Sequence, residues 1–317
     1  MFKNQRVAFL LVTIAIAISV LISACGGSSS SSSGGSTSSS GGSSGSTPTT
    51  LGTPGSYTCV QGSLTAAGST ALAPLVTDVA KKYQAKCSGS TITVNLGGSG
   101  TGLSSAENGS IDIGNSDIFA KTGQEDLVDH QVSVVIFTLM VNSKVTGVKS
   151  LTTDQLKGIY SGKIKNWSEV GGPSMPIVVV SRPTSSGTRA TFQKYVLGTV
   201  ETITGPTNLT TDSTGTVVKN VQQTDGAIGY AASGPAKKSG LTILNIDGQA
   251  PTPDTIKSNA YKFWNIEHMY TKGKPKDLAQ ALIDYMTSSD GKDSAQSLDF
   301  VAITDVPSAA LQTHQVH

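Results

Sequence analysis

Ser181-Arg182-Pro183-Thr184-Ser185-Ser186-Gly187-Thr188-Arg189 is the stretch that decides how this chain is read. It directly follows the apolar run Ile177 to Val180 and directly precedes a helix-like run, Ala190 to Leu197, that stops at Gly198. A strand, a tight polar turn and a helix start therefore meet at one point. The turn carries hydroxyls, a glycine and two arginines, and no carboxylate. Backbone N–H groups at a helix N-terminus lack partners and carry partial positive charge. Small residues let an anion approach that backbone, and hydroxyl and guanidinium groups add donors. Taken alone, the same stretch also fits an ordinary loop with Ser and Thr as helix N-caps.

Two more segments share the pattern. Gly68-Ser69-Thr70-Ala71 lies between Leu64–Ala67 and a helix expected over 72–86, where Leu72, Leu75, Val76, Val79, Ala80 and Tyr83 recur on one face. Gly97-Gly98-Ser99-Gly100-Thr101-Gly102 follows an alternating strand, 91–96, and precedes a short helix expected after Gly102 and ending at Gly109. Asn115-Ser116-Asp117 follows a short strand at 111–113 and adds one carboxylate. Further strands are expected at 132–141, 226–230 and 241–246, and helices at 153–160 (capped by Thr152 or Thr153), at 217–222 and from Pro275 to Met286. Alternating strands and helices predict an α/β architecture with mainly parallel sheets. All three turns would sit at carboxyl ends of strands, where open α/β sheets bind ligands.

The first 25 residues resemble an export signal. Lys3 and Arg6 precede an apolar run, Val7 to Ile22, shorter than the ~20 residues of a spanning helix. Ile22-Ser23-Ala24-Cys25 is similar to a bacterial lipoprotein cleavage box, which implies a lipidated Cys25; an uncleaved anchor is the alternative. Residues 26–58 are almost entirely Ser, Gly, Thr and Pro and are expected to be a flexible tether. The remaining cysteines, Cys59 and Cys87, are expected to form a disulfide closing a loop of about 28 residues, with a free or metal-binding pair as the alternative.

Composition excludes several classes. The chain has 23 Lys and Arg against 21 Asp and Glu, and losing Lys3 and Arg6 would balance the charge. A neutral body argues against nucleic acid, whose phosphate backbone needs a basic face. Catalysis is not expected, because the histidines (His130, His268, His314, His317) are scattered and no H-E-x-x-H, C-x-x-C or Walker P-loop occurs. His314 and His317 are read as part of a frayed tail. Gly98-Ser99-Gly100-Thr101-Gly102-Leu103 fails the dinucleotide G-x-G-x-x-G pattern, and a G-x-S-x-G match at 41–45 lies in low-complexity sequence. No cofactor is expected.

The three turns, together with Leu156-Lys157-Gly158-Ile159-Tyr160-Ser161-Gly162-Lys163-Ile164-Lys165-Asn166-Trp167 and Gly226-Ala227-Ile228-Gly229-Tyr230, resemble the phosphate-binding subunit of ABC-type phosphate importers over nearly all of residues 62–305. The resemblance implies a two-lobed type II periplasmic-binding-protein fold, each lobe a mainly parallel sheet flanked by helices, with two crossing hinge strands near 137–142 and 263–270. One lobe would hold 60–139 plus 262–317, the other 140–261. It implies phosphate contacts at Thr70, Ala71, Ser99, Asp117, Arg182, Ser186, Gly187 and Thr188, with Ser69 and Arg189 as neighbours. At Thr184 some relatives carry an Asp that pairs with the arginine; this chain does not.

The function so implied is capture of inorganic phosphate by a lipid-anchored, monomeric receptor outside the cytoplasmic membrane, with delivery to the membrane subunits of an ABC permease. Asp117 would accept the proton that phosphate carries and sulfate lacks; a helix cap or surface carboxylate is the plainer role for it. The alternatives are another tetrahedral oxyanion (molybdate, tungstate or sulfate) and a phosphate-sensing surface lipoprotein.

Overall fold

A computed structural model of the chain describes residues 57–317. The expected signal over 1–25, the lipidated Cys25 and the tether up to residue 56 lie outside the described residues. The first part of the fold runs β1 (Gly62–Gly68), α1 (Ala73–Lys86), β2 (Ser90–Leu96), α2 (Ser99–Glu107), β3 (Ile113–Ser116) and β4 (Leu127–Val141). There follow β5 (Ser150–Leu151), α3 (Thr153–Tyr160), β6 (Val178–Ser181), α4 (Gly187–Phe192), β7 (Asn208–Thr210), α5 (Thr214–Gln223), β8 (Ala227–Ala232), α6 (Ser233–Lys238), β9 (Thr242–Ile246) and α7 (Pro253–Lys257). The chain closes with β10 (Trp264–Lys272), α8 (Asp277–Thr287), α9 (Ser289–Ser297), β11 (Phe300–Val301) and α10 (Ser308–Thr313).

The strand order is β2-β1-β3-β10-β4-β8-β6-β7, a mixed and curled sheet. Pairing is parallel on each flank: β1 with β2 and β3, and β6 with β7 and β8. The two long central strands are antiparallel, β10 pairing with β3 and β4, and β4 with β8 and β9. β4 runs beside β10 up to Ile136 and beside β8 from Phe137 onward, so one strand belongs to both halves of the molecule. At that exchange Phe137 N–H donates to Phe263 O at 3.0 Å, and the rings of Phe137, Phe263, Phe192 and Tyr230 pack with centroids 4.5–6.1 Å apart. This is the two-lobed fold of type II periplasmic binding proteins.

Local signals account for most boundaries. Thr152 caps α3 in a reciprocal box with Gln155, and α1 carries a proline in its first turn and buries Leu75, Val76, Val79, Ala80 and Tyr83. Several boundaries differ from expectation. α2 begins at Ser99 rather than after Gly102. Gly102 is there for close approach: a Cβ on it would stand 2.6 Å from Asn115 O and 2.9 Å from Ala67 O. β3 lies two residues later than 111–113, because Asp112 turns its carboxylate to the Thr65 N–H, 2.7 Å away. Pro275 precedes α8, whose N-cap is Lys276, rather than lying in its first turn.

Cys59 and Cys87 form the disulfide, with Cα atoms 5.0 Å apart. It ties the start of the described chain to the end of α1. Tyr57 adds edge-to-face contacts to Tyr83 and Tyr285. No helix among the described residues is long and apolar enough to cross a membrane.

Candidate anion-binding site

Three strand-to-helix turns and one strand end converge. β1 leads through Gly68-Ser69-Thr70-Ala71 into α1, β2 through Gly97-Gly98 into α2, and β6 through Arg182–Ser186 into α4; β3 ends just before Asp117. The turns meet across the cleft: Gly100 N–H donates to Ser185 O at 3.0 Å, and a Cβ on Gly187 would stand 2.4 Å from Ser99 Oγ and 2.9 Å from Asp117 Cβ. Only hydrogen fits at position 187 in this closed arrangement.

Asp117 is buried, with 2% exposure, at the centre of a donor set. Ser69 donates its hydroxyl to Oδ1, and Thr188 donates to Oδ2 at 2.9 Å from the opposing half. Its own N–H donates to Ser99 Oγ at 2.9 Å, and its carbonyl accepts from Asn265 Nδ2 at 2.5 Å. Asn265 also donates to Thr191 Oγ1 at 3.2 Å, so this β10 residue ties Asp117 to α4.

Arg182 is 1% exposed. Its Nη2 donates to Thr70 Oγ1 and to Asp212 O, both at 3.1 Å, whereas Nε and Nη1 are buried without a partner. Burial pulls the guanidinium below its ordinary value, and Asp117 foremost among its neighbours pushes the other way. An arginine keeps its proton in any such setting. The site thus holds a dry positive charge with unused donors, a costly arrangement unless an anion completes it. Thr184 does not orient the guanidinium; Thr70 and the Asp212 carbonyl do. Thr70 Oγ1 also accepts from Thr214 N–H at 3.1 Å, which fills its acceptor sites and turns its hydroxyl toward Thr214 Oγ1, 3.1 Å away.

The remaining residues sit as follows. Ser186 is the N-cap of α4, its Oγ accepting from Arg189 N–H at 3.2 Å. Gly187 and Thr188 are the first helical residues, whose N–H groups have no intrahelical partner. Ala71 N–H is engaged by Ser69 Oγ at 3.1 Å. Arg189 is not solvated surface: its Nη1 donates to Arg182 O at 2.5 Å and its Nε lies 3.7 Å from the buried Glu201 carboxylate. Glu201 also accepts from Ser181 and from Tyr230, the latter at 2.5 Å. Burial pushes the Glu201 carboxyl up, and the hydrogen bonds from Ser181 and Tyr230 oppose it. This network braces the far side of the anion turn.

Sequence reasoning missed Asn265, Glu267, Thr214 and Glu201. For the first two a signal existed: Asn265 and Glu267 interrupt a strongly apolar segment two residues apart, and so share one face of a strand.

Residues 47–290 match the PBP superfamily domain. The phosphate-binding protein PstS of Bacillus subtilis (strain 168) is 43% identical over 250 residues, covering 77% of this chain and 82% of that protein. A solved Clostridium perfringens substrate-binding protein, described as belonging to a phosphate ABC transporter and holding bound phosphate, superposes with a TM-score of 0.71 at 29% identity, over 76% of this chain and 100% of that one. An ABC-type phosphate transport receptor from Vibrio cholerae gives 0.62 at 26% identity, over 75% and 99%. The chain therefore belongs to the PBP superfamily and, within it, to the family of the PstS phosphate-binding proteins.

Proposed function

We propose that this chain captures inorganic phosphate outside the cytoplasmic membrane by lobe closure and delivers it to an ABC permease, without catalysing a reaction. The observation that carries this reading is the buried Arg182, with Nε and Nη1 unpartnered, in the same pocket as a carboxylate whose hydroxyl donors come from both halves of the molecule. Arg182, the Ser99 hydroxyl and the first N–H groups of α4 (Gly187, Thr188) supply donors to the anion. Asp117 accepts the ligand's own proton. Thr70, Ala71, Ser69 and Ser186 shape the turns that hold these groups. The lobes are taken as 60–139 with 262–317, and 140–261. The lobes close because neither alone offers both Asp117 and Arg182.

Export and lipidation at Cys25 belong to the same proposal, with residues 26–58 as the tether and a monomer as the working unit. Basic and apolar residues at 3–22 followed by Ser23-Ala24-Cys25 support it.

Calorimetric titration of the full chain with phosphate, sulfate and molybdate tests the function. Tight phosphate binding with much weaker binding of the other two is the expected result. Comparable affinities would overturn the selective reading.

A further inference from the structure

Glu267 lies on β10 with 0% exposure, and no N–H or O–H donor reaches either of its oxygens. The register explains its surroundings. β10 pairs antiparallel with β3 up to His268 opposite Ser116, and Glu267 and Asp117 are the residues that follow that last pair. Asn265, two residues earlier on the same face, already bonds the Asp117 carbonyl. Glu267 thus stands on the same face as Asn265 and next to Asp117, whose charge acts on its carboxyl. Two carboxyl groups so placed cannot both be ionised in a dry pocket, since like charges disfavour the second ionisation. Ser69 and Thr188 already donate their hydroxyls to the Asp117 oxygens, so those oxygens act as acceptors. Glu267 receives none. The proton therefore resides on Glu267. Its burial and the neighbouring Asp117 charge both push its carboxyl well above the usual range, in agreement with that assignment.

We propose that Glu267 is a specificity-determining positioning residue: a neutral carboxylic acid whose hydroxyl donates to Asp117. This deepens the phosphate reading and rests on it. An ionised carboxylate offers roughly four acceptor directions. Ser69, Thr188 and Glu267 take three of them, leaving one for a single ligand hydroxyl. Glu267 thus restricts Asp117 to reading one proton and holds it in place while it does so.

The test compares the full chain as wild type, Glu267→Gln and Glu267→Met at pH 7. Gln keeps a neutral donor of the same length, and Met keeps the bulk without the donor. Expected are phosphate affinity within about threefold of wild type for E267Q and a loss of about 10- to 100-fold for E267M, the range for a hydrogen bond to a charged group. Infrared difference spectra should show a protonated-carboxyl carbonyl band in the wild type that E267Q removes. Wild-type affinity in E267M, an E267Q as weak as E267M, or a band unchanged by E267Q would each overturn the proposal. If E267M does not fold, E267Q affinity and the band decide. A wild-type chain that binds no phosphate would defeat the functional reading instead, and the band would still report whether Glu267 carries the proton.

Discussion

At the residue scale, two side chains define what this pocket tolerates. Arg182 brings a charge that desolvation makes expensive, with donors left over; Asp117 brings an acceptor that repels any ligand oxygen lacking a proton. In the proposed function they together select a protonated tetrahedral anion. A buried site built around a ligand hydroxyl can reject an analogue without one by ~10⁴–10⁵. Asp117→Asn replaces half of that acceptor with a donor. We expect it to narrow the phosphate-to-sulfate preference by about 100-fold or more, mostly by admitting sulfate. Paired titrations of the mutant with both anions check this, and an unchanged ratio would mean that another group reads the proton. The Arg182 and Asp117 pairing was visible in the sequence because each stands in a turn of small polar residues. Asn265 and Glu267 stood out only as polar interruptions, because a polar residue in an apolar strand shows its purpose only once register names its neighbour.

At the scale of elements, the strand-to-helix turns do the positioning, and their glycines mark where backbones nearly touch. The sequence pattern located each turn correctly. It misjudged where helices begin, because glycine was read as loop. In α2, Gly100 and Gly102 lie inside the helix, and at Gly102 only a bare backbone packs against the ends of β1 and β3. Glycine's loop tendency is a local entropy effect of about 1 kcal/mol per residue, which tertiary packing overrides. Likewise α4 begins at Gly187 rather than Ala190, because Ser186 caps it. Gly187 gives the sharpest test of this view. Alanine is the better helix former there, so G187A should not lower the stability of the chain without ligand. In the closed form, however, the added methyl would meet Ser99 Oγ and Asp117 Cβ. Overpacking of that order costs about 1–3 kcal/mol, or about 5- to 150-fold in phosphate affinity. Thermal denaturation without phosphate and titration with it separate the two effects. A mutant that binds normally would show that the lobes do not close this tightly on the ligand.

At the scale of the whole molecule, the C-terminal segment fastens both halves to the central strands. It is not the frayed tail that its composition suggested. His314 is 1% exposed, stacked 3.5 Å from the Trp264 ring of β10 and 4.3 Å from the Tyr195 ring that follows α4. Its Nε2 lies 3.2 Å from Lys262 O, and Tyr195 donates its hydroxyl to Thr313 O at 2.8 Å. Neither the apolar pattern nor the local propensity of Thr313-His314-Gln315 announces this, because the partners lie far away in sequence. Burial lowers the His314 pKa from 6.5 to about 4. The folded form therefore resists protonation that the unfolded chain accepts, and the contribution to stability is full above the unfolded value and is lost as pH falls through the folded one. From pH 7 to about pH 4.5 this amounts to roughly 2 to 3 kcal/mol. Glu267 and Glu201, whose carboxyls are raised, act with the opposite sign: their contributions are full at low pH and are lost as pH rises above the ordinary carboxyl range. His314→Phe keeps the stack and removes the titration. At pH 7 it should cost about 1 kcal/mol for the lost hydrogen bond. Toward pH 4.5 its stability should meet and then exceed that of the wild type, because only the wild type must protonate this site on unfolding. Denaturant unfolding of both chains at several pH values reads the crossing directly. Parallel curves would mean that His314 titrates normally and that the tail leaves the body before the ring takes up its proton.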